Sequence, residues 1–175
     1  DLLKNQVNSA IQLINQAERP VILVGNGVRL AKGIENFRTA AEILQIPVLT
    51  TWKAMDFLPE EHPLFAGRPG ASGQRSANFA QQNSDCIIVL GARLDLGQTA
   101  YNHPNFARVA NKIIVDIDEA EIKKLDIVEK AEVIAKVAEI EAEQEEFDQL
   151  VKEKIKDEAI LELIANAKDA DELEK

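Results

Sequence analysis

Four short stretches of this chain hold residue types suited to gripping a phosphate or a ribose. Gly25-Asn26-Gly27 closes the apolar run VILV, and Gly73-Gln74 lies in GRPGASGQRSAN. Gly91 and Arg93 follow CIIVL, and Asp116-Ile117-Asp118 ends IIVDID. Glycine lets backbone amides come close to an oxyanion, arginine offers it paired charged hydrogen bonds, and a carboxylate accepts from ribose hydroxyls. Each stretch also fits a purely structural role. Gly25 and Gly27 suit a tight strand-to-helix turn, and Arg93 and Asp95 suit a mutual ion pair or a helix cap. Asp116 and Asp118 suit capping of a helix that opens at Glu119. A lone Gly-x-Gly without a full GxGxxG leaves both roles open.

Other chemistries find less footing. His62 and His103 each adjoin a proline, with no partner at metal-ligand spacing. Cys86 opens an apolar run, where a thiol belongs to the core and not to an electropositive, accessible nucleophile site. Ser72 and Ser76 stand in no Gly-x-Ser-x-Gly elbow. No acid, base and nucleophile converge in the sequence, so no catalytic residue is expected.

The elements that must position the four stretches follow from apolar spacing. Leu2–Ala17 carries a helical period, and VILV after Pro20 is a short buried strand. A second helix is expected over Leu30–Leu44 and a second strand over Ile46–Thr50. Residues 51–74, rich in Pro and Gly, are expected to form one long loop. Ser76–Gln82 gives a short helix, Cys86–Leu90 a third strand and Ile113–Asp118 a fourth. Alternating strands and helices imply a parallel sheet covered on both faces: an α/β, three-layer, doubly wound, Rossmann-like fold. Ligands of such folds bind outside the carboxyl ends of the strands, where the four stretches fall.

Composition divides the chain. Of the formal charge of −10, residues 1–125 contribute nothing, with 13 Lys/Arg against 13 Asp/Glu, whereas residues 126–175 carry 7 against 17. Every glycine lies at or before Gly97 and every proline at or before Pro104. Residues 1–125 are therefore expected to form the α/β domain, and 126–175 an added acidic helical segment. Its apolar residues, from Ile122 to Ile164, recur at spacings of three and four. An acidic tail argues against nucleic acid or an anionic membrane as partner. One cysteine, no apolar run of about 18 residues and no signal peptide point to a cytoplasmic setting. The start at Asp1 suggests a domain cut from something longer.

The order of these stretches resembles the central domain of thiamine-diphosphate-dependent enzymes of the acetolactate synthase kind. Gly25-Asn26-Gly27 matches that family's first glycine turn, and Gly67–Asn78 its later glycine loop leading into an Ala-Asn helix start. Gly91, Arg93 and Asp95 match its Gly-x-Arg-x-Asp, and Asp116-Ile117-Asp118 its closing Asp-Ile-Asp. The similarity spans roughly residues 10–125. It implies an ADP or FAD held across these loops as a structural or regulatory ligand, with Gly25, Asn26, Gly27, Gly73, Gln74, Gly91, Arg93, Asp116, Ile117 and Asp118 as the contacts. Two departures weigh against FAD: Gly97 stands where FAD-binding members have a second arginine, and Ser72 where they commonly have a histidine.

The resemblance also implies what is missing. Thiamine diphosphate and Mg²⁺ belong to flanking domains, one bearing an activating glutamate and the other a Gly-Asp-Gly…Asn segment, neither of which occurs here. The expected role is that of an isolated or redesigned central domain, structural and nucleotide-binding, without catalysis of its own. The segment after Asp118 departs from the family's strand and helix and looks substituted or engineered, as in a chimera or a de novo design. The alternative role is a scaffold whose acidic helices mediate homo-oligomerisation or partner binding. Trp52, Lys53, Phe57 and Phe65 are expected to mark a patch that faces other domains.

Overall fold

In the computed structural model residues 2–123 are described. The tail expected over 126–175, its helix breaks and the packing of most of its apolar stripe lie outside them. Five parallel strands form one sheet: β1 (Pro20–Val24), β2 (Val48–Thr50), β3 (Phe65–Gly67), β4 (Cys86–Leu90) and β5 (Asn111–Val115), in the order β3-β2-β1-β4-β5. β1 lies at the centre, with Val24 opposite Thr50 on one side and Leu90 on the other. The connections run outward to β3 in one direction and to β5 in the other. The point where this direction reverses therefore lies between β1 and β4, as in a doubly wound sheet.

Both faces of the sheet are buried, as a continuous apolar run such as VILV requires. Ile22 and Val24 pack on one face with Phe37 and Ala41 of α3 (Ile34–Leu44) and with Leu13 and Ile14 of α1 (Leu2–Gln16). Val21 and Leu23 pack on the other with Ala77 of α4 (Arg75–Asn83), and with Leu94, Phe106 and Ala107 from the β4–β5 connection. Fully burying one Leu or Phe contributes roughly 1.5–3 kcal/mol, so these two clusters supply the main stabilisation of the domain. The three layers are those expected from the alternation of elements.

Three local expectations are corrected. The helix expected over Leu30–Leu44 is two: α2 (Gly27–Leu30) ends where Lys32 adopts a positive φ of 56°, and α3 begins after Gly33. The loop expected over 51–74 contains a 3₁₀ turn at Trp52–Ala54 and the whole of β3. β3 is three residues long, pairs on one side only among the described residues and meets β2 across a register shift between Val48 and Leu49. So short an edge strand, ending in Ala-Gly, leaves no alternation to read. The strand expected over Ile113–Asp118 begins earlier, at Asn111, and ends at Val115, because Asp116 and Asp118 turn the chain into α5 (Glu119–Lys123).

Candidate functional site

Because all five strands are parallel, the loops that follow them gather at one edge. Gly25-Asn26-Gly27 follows β1, Gly73-Gln74 ends the loop after β3, Gly91 and Arg93 follow β4, and Asp116-Ile117-Asp118 follows β5. All ten residues singled out in the sequence thus lie at the carboxyl edge.

At the reversal point the loops after β1 and β4 touch backbone to backbone. The Gly25 amide donates to the Leu90 carbonyl (2.8 Å), and the Gly27 amide to the Gly91 carbonyl (2.9 Å). A Cβ on Gly25 would stand 2.3 Å from Ala92 Cα and one on Gly27 would stand 2.7 Å from Gly91 Cα. Gly91 itself holds φ +54°, a region that favours glycine. The glycines at positions 25, 27 and 91 thus meet a structural demand: they let two turns close on each other.

The loop after β3 is stitched by its own side chains. The Arg68 amide donates to Gln74 Oε1 (2.8 Å), while the Gln74 amide donates back to the Arg68 carbonyl (2.8 Å). The Gly70 amide donates to Asn78 Oδ1 (2.9 Å), and Asn78 Nδ2 to the Gly70 carbonyl (3.0 Å). A Cβ on Gly73 would meet the Pro69 carbonyl carbon at 2.5 Å, so the ring closes only around glycine. This loop then reaches the one after β4: the Ala71 amide donates to the Gly97 carbonyl (2.8 Å) and Gln98 Nε2 to the Pro69 carbonyl (3.2 Å). Since β2 and β1 lie between β3 and β4 in the sheet, the two loops join across them.

The charged residues at this edge are largely matched. Arg93 Nε donates to Glu121 Oε1 of α5 (3.2 Å), not to Asp95. Asp95 Oδ1 accepts the Gln98 amide (2.8 Å), which shapes the loop after β4. Arg29 pairs with Asp56 and stacks over Phe57 (5.0 Å to the ring centre), and its hydrogen bond holds the Asp56 carboxyl below the usual range. Arg68 pairs with Glu60 and stacks over Phe65 (5.4 Å). Asp118 Oδ1 caps α5 through the Ala120 amide (2.9 Å), the role expected of it, whereas Asp116 Oδ1 accepts the Asp118 amide (3.0 Å) ahead of the helix and does not cap it. Ile117 is exposed.

Sequence reasoning passed over Thr50. It ends β2 fully buried, and its hydroxyl has no partner there, which is costly for a buried donor. A polar residue closing the apolar strand VLT was the available signal. Cys86 is buried as expected, and burial pushes its thiol up to about 11. Among the described residues no three of His, Cys, Asp and Glu gather to hold a metal ion. Among them, too, no helix is long and apolar enough to cross a membrane.

A parallel sheet with a reversal of strand order, and glycine loops gathered at its carboxyl edge, defines a doubly wound, Rossmann-like α/β domain. Comparison with known proteins makes this specific. The pattern of the family described as "Thiamine pyrophosphate enzyme, central domain" matches residues 7–143, and the chain belongs to that family. The match continues beyond residue 125 into the first part of the acidic segment. Over 124 residues the chain is 44% identical to the acetolactate synthase large subunit of Corynebacterium glutamicum, covering 71% of this chain and 20% of that protein. It is 40% identical over 122 residues to a probable acetolactate synthase large subunit of Methanocaldococcus jannaschii, with 68% and 20% covered. It is 41% identical over 125 residues to the acetolactate synthase isozyme 1 large subunit of Escherichia coli, with 70% and 21% covered. The chain thus spans about a fifth of the length of these relatives.

Proposed function

We propose that this chain serves as the structural central domain of an acetolactate synthase-like thiamine-diphosphate enzyme, holds an adenine nucleotide at its carboxyl edge and has no catalysis of its own. The observation that carries the nucleotide reading is the buried, unpartnered Thr50 hydroxyl, at the edge where the four loops gather. A donor in that position favours a ligand that brings an acceptor to it. Arg93 is the cation best placed to turn towards a diphosphate, since its side chain is 74% exposed while Glu121 is largely buried. ADP is favoured over FAD because Gly97 supplies no second cation. A Cβ at Gly97 would meet only Asp95 Oδ1, at an ordinary 3.4 Å, so the backbone does not demand glycine there.

The test is a thermal-shift titration of the purified chain with ADP, ATP, FAD, NAD and thiamine diphosphate, since a ligand that binds only the folded state raises the melting temperature. ADP is expected to give the largest shift, and Gly97→Arg to move the preference towards FAD. No shift with any nucleotide at millimolar concentration would overturn the ligand reading. Pyruvate turnover by the chain with thiamine diphosphate and Mg²⁺ would overturn the non-catalytic one.

One observation favours a second role, as an interface within a larger assembly. Leu30, Trp52, Met55, Leu96, Tyr101 and Ile117 are exposed apolar residues of the same carboxyl edge, with Trp52 at 60% and Tyr101 at 72%. Solution mass of the chain, with and without residues 126–175, separates self-association through this edge from self-association through the tail.

A further inference from the structure

Asn26 precedes Gly27, the pairing of residues most prone to spontaneous deamidation, because a glycine amide is unhindered as a nucleophile. The Gly27 nitrogen attacks Asn26 Cγ, the bond from Cγ to Nδ2 breaks, and the amide proton leaves with the departing ammonia. Water then opens the cyclic imide. Cleavage at the side-chain carbonyl yields aspartate, and cleavage at the main-chain carbonyl yields isoaspartate, in which the backbone runs through Cβ and Cγ. No oxidant or cofactor enters this step.

The fold opposes the first bond. Asn26 stands at φ −66° and ψ −15°, a helical setting in which the next nitrogen is turned away from Cβ. Closing the five-membered ring requires a large rotation about the Asn26 Cα–C bond. That rotation would carry away the Asn26 carbonyl, which accepts the Leu30 amide (3.1 Å), and the Gly27 amide, which donates to the Gly91 carbonyl (2.9 Å). The product is opposed as well. Isoaspartate adds a methylene to the main chain, between two glycines whose places for a Cβ are already 2.3–2.7 Å from the backbone of Gly91 and Ala92.

We propose that Asn26 is a spontaneous modification site held shut by the contact between the β1 and β4 loops, and that the isoaspartate product cannot re-form that contact. The rate of modification is then the rate in an open chain multiplied by the fraction of time the contact is broken. Asn26 is a clock for opening at the reversal point of the sheet, and each event is irreversible damage.

The experiment incubates the full chain at mildly alkaline pH and follows the peptide containing Asn26 by mass spectrometry, with enzymatic detection of isoaspartate. A synthetic peptide covering Val21–Leu30 is the open reference. The folded chain is expected to react roughly tenfold or more slowly than the peptide, and the same chain in denaturing urea at the peptide's rate. Gly91→Ala, which breaks the contact on the opposite side, is expected to accelerate the reaction while leaving Asn26 and Gly27 in place. Should that variant not fold, the wild-type chain at graded sub-denaturing urea supplies the same opening. A folded-chain rate within about twofold of the peptide's would overturn the proposal, as would a rate insensitive to urea before global unfolding. Modified chain that still melts like the unmodified one would overturn the claim about the product.

Discussion

Replacing Gly25 by alanine separates the two roles open to the glycine turn. Gly25 has no positive φ to lose, so any cost comes from space alone. The added Cβ would stand 2.3 Å from Ala92 Cα and 2.4 Å from the Gly91 carbonyl oxygen. Carbon atoms in contact settle at about 3.5–4.0 Å, so the two loops must part by about 1 Å or more. Both neighbours are backbone and cannot swing aside as a side-chain tip would. Overpacking of this kind costs roughly 1–3 kcal/mol. Weakening the Gly25–Leu90 and Gly27–Gly91 hydrogen bonds adds roughly 0.5–1.5 kcal/mol each if they are lost. The stiffer unfolded chain returns roughly 0.4–1 kcal/mol. The expected net loss is roughly 2–4 kcal/mol, a large share of a domain's usual 5–15. Urea unfolding without ligand reads this directly: with a slope of roughly 1–3 kcal/mol per molar, the midpoint should fall by about 1–2 M at unchanged slope. An unchanged midpoint would refute the packing argument. If nucleotide binding were then lost as well, the glycine would be serving the ligand.

Other outcomes follow from the same geometry. Asp85 accepts the Glu18 and Arg19 amides (2.8 Å each); burial opposes its charge, yet these bonds keep its carboxyl below the usual range. Asp85→Asn should cost roughly 0.5–1.5 kcal/mol at neutral pH. A group whose folded pKa is depressed stabilises above its unfolded pKa, so this deficit should shrink as pH falls through the acid range, measured by urea melts at several pH values. Cys86 behaves oppositely, since only the unfolded thiol ionises between its ordinary value of 9.0 and about 11. Stability should therefore fall as pH rises through that window, by up to about 1.4 kcal/mol per unit, and Cys86→Ala should flatten the fall in alkaline melts. Asp118→Ala removes the cap of α5 and should cost about 1 kcal/mol, seen as faster hydrogen exchange over Glu119–Lys123. Arg93→Ala should weaken ADP binding by roughly 1–3 kcal/mol in calorimetric titration while shifting the melt little, because its ion pair with Glu121 is exposed on the arginine side.

What the sequence disclosed depended on how much packing each element records. VILV and CIIVL are buried on both faces, so their side chains name them as inner strands without reference to anything else, and both were placed to within a residue. α1 and α4 show one apolar stripe each and were equally readable. β3 could not be read, because its backbone is set by pairing with β2 and its three residues carry almost no pattern. Lys32, whose positive φ splits one helical period into α2 and α3, gives no local signal either, since lysine has no preference for that conformation. At the site, the glycines announced a constrained edge but not what constrains it. The close approach of Gly25 and Gly27 to Gly91 joins positions 64 or more apart in sequence, and only the parallel pairing of β1 with β4 brings them together.

The two ends of the sheet are held by different means, and this bears on where a ligand can act. At the amino end Asp85 is a charged staple: its carboxylate takes the amides before β1, and its carbonyl takes the Asn111 amide that opens β5 (2.8 Å). Three strands are tied there through one residue on the turn into β4. At the carboxyl end no single side chain does this. Glycine backbones touch, and Gln74, Asn78 and Gln98 close the loops with uncharged amides. A diphosphate entering that edge would therefore meet no fixed carboxylate within the stitched loop after β3. The acidic groups it must displace, Glu121 and Asp56, come from α5 and from the loop after β2, and each is already bound to an arginine. On the proposed function, nucleotide binding at this edge would be an exchange of anions on Arg93 and Arg29, the incoming charge replacing a carboxylate in each pair. Such an exchange gains little net charge neutralisation. It should yield modest affinity that changes little with salt, because screening over about 8–10 Å at 0.1–0.15 M ionic strength weakens the outgoing and the incoming ion pairs alike. Affinity for ADP that fell steeply from low to high salt would refute the exchange, since it would show ion pairs added and not replaced.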